Sequence, residues 1–202
     1  MNLTEIEKHY SESIKKYGTV SKGVGWNNEE GQILRFQKLL SICPPPPHQE
    51  SFSINELGCG YGALYRFLQE KKYRVDYVGY DISEEMLHIA KEYTNNEVSL
   101  ICSDRITQEA DYSITSGIFN AKFSYDDKIW LEYILEILHN MNEMSRKGFS
   151  FNMLTNFVDY KNPNLYYADP NYFFDYVRKN FSKNLILLHD YDLWEWTILV
   201  RK

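Results

Sequence analysis

Cysteine is scarce in this chain of 202 residues: Cys43, Cys59 and Cys102 are an odd number, far apart, with no C-x-x-C pair. That excludes a disulfide framework and offers no zinc-binding spacing, so no metal is expected. Long apolar runs are also missing, and none approaches the roughly 20 residues that a bilayer span requires. The N-terminal stretch, with Glu5, Glu7 and Lys8, lacks the basic-then-apolar layout of a signal peptide. The chain therefore reads as cytoplasmic, with no membrane partner. Positive charge is short as well: 22 Lys and Arg against 28 Asp and Glu leave a net charge of −6. With no dense basic cluster, a nucleic-acid partner is disfavoured. Proline is nearly confined to one run, Pro44 to Pro47, which reads as a stiff spacer. Apolar residues, in contrast, make up 44% of the chain, enough for the core of one domain. The 17 tyrosines suit packing, and also a pocket for a ring or sugar.

The chain is organised around Phe52 to Leu64, Phe-Ser-Ile-Asn-Glu-Leu-Gly-Cys-Gly-Tyr-Gly-Ala-Leu. Phe52, Ile54 and Leu57 read as a strand, Gly58, Gly60 and Gly62 as a tight turn, and Ala63 to Lys71 as a helix. Such a turn lets backbone approach a ligand closely, and the helix start offers unpaired N–H groups. A dinucleotide site wants G-x-G-x-x-G with pyrophosphate over the helix. Here the pattern is Glu56-x-Gly58-x-Gly60-x-Gly62, and an acid in that place suits a cationic amine better than a phosphate. Asp81 ends the next strand, about twenty residues on, where a nucleotide-binding α/β unit places the acid for the ribose hydroxyls.

Around this unit the pattern alternates. Leu3 to about Lys16 reads as a helix ended by Tyr17-Gly18, and a second helix, capped by Asn27, carries Ile33, Leu34, Phe36, Leu39 and Leu40 up to Pro44. These N-terminal helices, residues 1–47 with the proline linker, are expected to lie over the mouth of a domain spanning 48–202. Strands are predicted at Tyr73–Tyr80, Val98–Cys102, Asp111–Phe119, Phe149–Thr155, Leu185–His189 and Leu193–Val200. Helices are predicted from Ser83, over a Trp130 to Met144 stripe ending at Gly148, and over Asn171–Phe181. The connection between the last two strands is too short for a parallel crossover, so they should pair antiparallel. The fold class is α/β: a seven-stranded, mostly parallel, doubly wound, Rossmann-like sheet with its last strand antiparallel.

The motif Glu56-x-Gly58-x-Gly60-x-Gly62 and this strand count resemble the class I S-adenosylmethionine (SAM)-dependent methyltransferases. Gly23-Val24-Gly25-Trp26-Asn27, Ser116-Gly117-Ile118-Phe119-Asn120, Phe151-Asn152-Met153-Leu154-Thr155, Tyr166-Tyr167-Ala168-Asp169-Pro170 and His189-Asp190-Tyr191 extend the likeness over nearly the whole chain. Together they are similar to a family of small bacterial members of mostly unassigned substrate. The resemblance implies SAM as cofactor and S-adenosylhomocysteine (SAH) as product. It places Glu56 at the methionine end and Gly58, Cys59, Gly60 and Gly62 along the cofactor. Asp81 follows at the ribose and Ile82 and Met86 elsewhere along the cofactor, with Asp104 and Arg105 at the adenine and Ser116 and Gly117 at the sheet edge. Trp26 and Arg35 are further cofactor candidates, Arg35 as a partner for the methionine carboxylate.

Methyl transfer from a sulfonium aligns nucleophile, methyl and sulfur while water is kept out. The Asn/Asp-Pro-Pro-Tyr of many amino methyltransferases is not found after the fourth strand, which disfavours nucleic-acid and amide nitrogen. Neither a cysteine nor a metal cluster follows the fourth or fifth strand, leaving the oxygen of a small metabolite or sugar-type acceptor in front. His189, at the end of a strand, is the candidate base, and Asn120 could orient the acceptor or the methionine carboxylate. Tyr166, Tyr167 and Asp169 form a candidate acceptor loop. Two other readings stay open from sequence: a non-catalytic SAM-binding domain and a nicotinamide-dependent oxidoreductase.

Overall fold

The structure, a computed structural model, describes residues 1–46 and 50–202. Pro47 of the proline run, and the boundary expected between 47 and 48, lie outside the described residues. The helices are α1 (Thr4–Tyr17), α2 (Glu29–Leu40), α3 (Ala63–Glu70), α4 (Glu84–Tyr93), α5 (Asp127–Glu143) and α6 (Pro170–Asn180), with a 3-10 turn at Ser21–Val24. The strands are β1 (Phe52–Leu57), β2 (Val75–Asp81), β3 (Ser99–Cys102), β4 (Ala110–Thr115), β5 (Ser145–Leu154), β6 (Leu185–Leu188) and β7 (Glu195–Arg201).

The seven strands form one sheet in the order β3-β2-β1-β4-β5-β7-β6. The first five are parallel, and β7 runs antiparallel between β5 and β6. From β1 the chain winds outward through β2 and β3, then returns to place β4 on the other side of β1. The crossovers there leave the sheet on opposite faces, which opens a crevice beyond the carboxyl ends of β1 and β4. Leu57 and Thr115 pair at those ends.

Alternation along the strands divides the core between the two faces. Phe149, Phe151 and Met153 of β5 pack against Trp130, Ile134 and Leu138 of α5 and Phe173 and Val177 of α6. On the other face Phe52 and Ile54 meet Phe36, Leu39 and Leu40 of α2 and Leu64, Phe67 and Leu68 of α3. Leu39 and Leu68 are wholly buried, each contributing about 1.5–3 kcal/mol of transfer free energy. The N-terminal residues thus share the core of the sheet: Phe36, Leu39 and Ile42 on one side, Ile6 on the other.

Several element ends differ from the sequence reading. Asn28, not Asn27, caps α2, accepting from the Gly31 N–H at 2.7 Å. The α5 helix stops at Glu143 rather than Gly148, and β5 starts at Ser145, whose hydroxyl donates back to the Met141 carbonyl at 2.6 Å. β4 ends at Thr115, so Ser116 to Asn120 form a loop on the carboxyl edge. His189 lies one residue past β6. Among the described residues no helix is long and apolar enough to cross a membrane.

Candidate active site

The glycine turn sits on the crevice. Gly58 and Cys59 donate their N–H groups to the Tyr80 carbonyl at 2.7 and 2.9 Å, so the turn hangs from the end of β2. Gly60 has φ +54°, and a Cβ there would stand 2.8 Å from the Val24 side chain, so only glycine fits without displacing its neighbour. Its N–H donates to Asp81 Oδ2 at 2.9 Å, and the Ser83 N–H donates to Oδ1 at 3.0 Å. Asp81 therefore ties the turn to the start of α4, which Ser83 caps through the Met86 N–H at 3.0 Å.

Two acids stand behind this turn in a dry setting. Glu56 is buried and accepts a hydrogen bond from the Tyr77 hydroxyl. Burial is the dominant effect on its carboxyl, outweighing the Tyr77 bond and reinforced by the Asp81 charge; its pKa is pushed up to about 8. Burial also raises the Asp81 carboxyl, against the pull of the backbone N–H groups of Ser83 and Gly60. A carboxyl raised to about 8 favours its protonated form near neutral pH, and a cationic ammonium beside it would favour the charged form.

Ser103 and Asp104 follow β3 and complete the floor. Asp104 pairs with Arg105 at 3.1 Å, while Asn140 of α5 holds Ile106 by both its N–H (2.8 Å) and its carbonyl (3.0 Å). Ser116 and Gly117 form the wall beyond β4, and the buried Ser116 hydroxyl has no hydrogen-bond partner among the described residues. The cleft and its open mouth together hold about 920 Å³ of space free of protein atoms. Leu3 just before α1 and Ile6 and Tyr10 within it, with Val24 and Trp26, roof it, and Trp130 and Tyr133 of α5 close the side. Burial, with the Asp81 charge as a smaller cause, pushes the Tyr10 hydroxyl up to about 12.

A methyltransferase-domain family model matches residues 55–147, from the acid-bearing strand through α5. A putative methyltransferase of Mycobacterium tuberculosis (strain ATCC 25618 / H37Rv), Rv1506c, is 46% identical over 157 residues, 76% of this chain and 95% of that protein. The chain belongs to the methyltransferase family. Among solved structures, the DhpI–SAH complex aligns with a TM-score of 0.66 over 96% of this chain and 94% of its own, at 13% identity. The plantazolicin methyltransferase BpumL in complex with SAH aligns at 0.57 over 99% and 97%, at 15% identity. At such identities these likenesses establish the fold: that of a class I SAM-dependent methyltransferase, as the resemblance implied. Membership of the methyltransferase family, shown by the relative at 46% identity, sets aside the nicotinamide-dependent reading.

In this methyltransferase Trp26, Glu56, Gly58, Cys59, Gly60, Asp81, Ile82, Met86, Asp104, Ser116 and Gly117 all line the one cleft. Gly62 caps α3 from the turn and Arg105 lies beside Asp104, neither facing the cavity. Arg35 is also outside it. Its guanidinium lies 3.8 Å from the Trp26 ring and forks onto Glu195, which leaves the expected pairing with a methionine carboxylate without support.

The residues assigned to the acceptor are not brought to the cleft. Asn120 is buried with its Oδ1 accepting from the Leu154 N–H at 3.0 Å and its carbonyl accepting from the Tyr166 N–H at 2.8 Å, a brace between two loops. Tyr167 accepts from the Asn162 N–H, and Asp169 caps α6 through the Asn171 N–H. His189 is exposed and stacks on Phe157, with ring centroids 5.8 Å apart. It follows the outermost strand, three strand spacings or roughly 14 Å beyond β4. His189 is not among the residues lining the cleft, so its expected contact with a reacting hydroxyl is without support. Among the cleft residues that the sequence does not single out are Leu3, Ile6, Tyr10, Trp130 and Tyr133; their helical spacing marks a buried stripe without telling core from cavity wall.

Proposed function

We propose that this methyltransferase transfers the methyl group of SAM to an oxygen of a small, ring-bearing acceptor of the metabolite or sugar type. The residues present fit the cofactor: the buried Glu56 for its ammonium, Asp81 for its ribose diol, Asp104 for its adenine amine, and a cradle at Gly60 that any Cβ would fill. When bound, SAM supplies a methyl group on a positively charged sulfur, open to in-line attack. Around it the chain's own side chains exclude water and hold the acceptor's ring against apolar and aromatic walls.

The observation that carries the acceptor reading is the character of those walls. Leu3, Ile6, Tyr10, Trp130 and Tyr133 face carboxylates and backbone, and among the described residues no Lys, Arg or His lines the cleft. Carboxylate or phosphate acceptors would enter without a counter-charge, and a nucleic acid would meet a protein of net charge −6. With no histidine among the described lining residues, the hydroxyl that places least demand on a base is a phenolic one, whose pKa near 10 is far below that of an alcohol. A cytoplasmic setting, where SAM and small metabolites meet, accords with this reading.

Incubation with methyl-labelled SAM and a panel of phenols, sugars, amines and carboxylic acids tests it. Label on a neutral ring hydroxyl supports the reading. Label confined to amines or carboxylates overturns the oxygen assignment, and SAM binding without transfer to any member favours the non-catalytic alternative.

A further inference from the structure

Four side chains from distant parts of the chain meet behind the loop after β4. Arg35 of α2 donates from Nε to both oxygens of Glu195, at 3.1 and 2.9 Å, and from Nη2 to Oε1 at 2.6 Å. The Glu195 side chain, at the start of β7, is only 1% exposed and accepts a further bond from Asn152 Nδ2 of β5 at 2.7 Å. Asn152 Oδ1 in turn accepts the Gly117 N–H at 2.9 Å. Trp26 closes the circuit: Arg35 lies over its ring, and a Cβ on Gly117 would stand 2.3 Å from the same ring. Gly117 has φ +76°, a left-handed conformation natural to glycine, and it lines the cleft. Its amide and its open Cα face are thus both gripped, and both grips lead back to one ion pair.

Stability alone is a poor reason to bury that pair, because the desolvation of two charges offsets much of their attraction. Its outputs explain it better. We propose that Arg35 and Glu195 are positioning residues that lock Trp26 and the Ser116-Gly117 strip into one unit, so that the N-terminal roof and the β4 wall are held together around the ligand. The proposal rests on the SAM-binding reading of the cleft and is indifferent to the acceptor.

The test uses the full chain with SAH as the probe, reading amide hydrogen exchange and equilibrium binding. Wild-type binding of SAH is measured first, and its failure would count against the SAM reading rather than the clamp. In Glu195→Gln and Arg35→Met, Gly117 exchange should rise and SAH affinity fall, each by about tenfold, while Ile54 and Tyr77 in the sheet keep their protection. Arg35→Lys, which keeps the charge but not the fork, should fall between. Asn152→Ser leaves the ion pair in place and should loosen Gly117 by itself, which keeps the proposal testable if the charge variants fold poorly. An even loss of protection across the sheet, or unchanged Gly117 exchange in Asn152→Ser, would overturn it.

Discussion

Raising the pH from about 5 to about 8 should destabilise the ligand-free protein through Glu56. Its carboxyl goes from an ordinary 4.5 to about 8 on folding, chiefly by burial, so over that interval the folded state holds a proton that the unfolded state has lost. Stability falls with pH wherever the folded state binds more protons, so the penalty is small below the unfolded pKa and complete above the folded one. At about 1.4 kcal/mol per tenfold change in proton activity, the loss over this window is on the order of 3–4 kcal/mol. For a domain of this size that corresponds to roughly 10 °C in melting temperature. Burial raises the Asp81 carboxyl in the same direction, whereas Asp111, Asp175 and Asp190 are lowered and act only at more acid pH. Thermal melts across the window, with and without Glu56→Gln, measure the effect. The variant should lose most of the slope. A wild-type melting temperature that stays level, or an equal slope in the variant, would refute the assignment of a dry, proton-holding Glu56.

Three further outcomes follow from the packing. Gly117→Ala places a methyl group 2.3 Å from Trp26 at φ +76°, so it should cost about 1–2 kcal/mol in backbone strain before the ring shifts, seen as a lower denaturation midpoint and weaker SAH binding. His189→Ala should leave SAM affinity and turnover within about twofold of wild type, because the ring is exposed and lies away from the cleft; a fall of tenfold or more in turnover would return it to the chemistry. Trp130→Phe removes the 2.8 Å bond to the Phe119 carbonyl and strands a buried acceptor, costing about 1–3 kcal/mol by chemical denaturation.

The parts of the site legible from sequence are those that local rules determine. The spacing of Glu56, Gly58, Gly60 and Gly62 is set by one strand–turn–helix, and Asp81 by the length of one βαβ unit, so both could be read residue by residue. The Trp130 stripe was read as a helix, but its end was misplaced because Met144 continues the helical period and Gly148 resembles a helix stop. Instead Gly148 is extended in β5, where a Cβ would come within 2.3 Å of the Val200 carbonyl, a contact only the sheet creates. Arg35 was illegible for a similar reason: its partner Glu195 is 160 residues away, and nothing near either residue announces the pair. His189 looked favourable as a strand-end histidine, yet its distance from the reaction depends on the position of β6 at the sheet edge, which the order of strands along the chain does not give.

The central claim is that the cleft between the Gly58–Gly62 turn, Asp81 and Asp104 holds SAM. Calorimetric titration of SAM into the wild type and into Asp81→Ala tests it most directly, with NAD as the competing ligand. The account predicts one SAM site per chain, no NAD binding, and an affinity at least about tenfold weaker in the variant, which loses both the ribose acceptor and the tie to Gly60. Undiminished SAM binding in Asp81→Ala, or NAD binding in place of SAM, would contradict it.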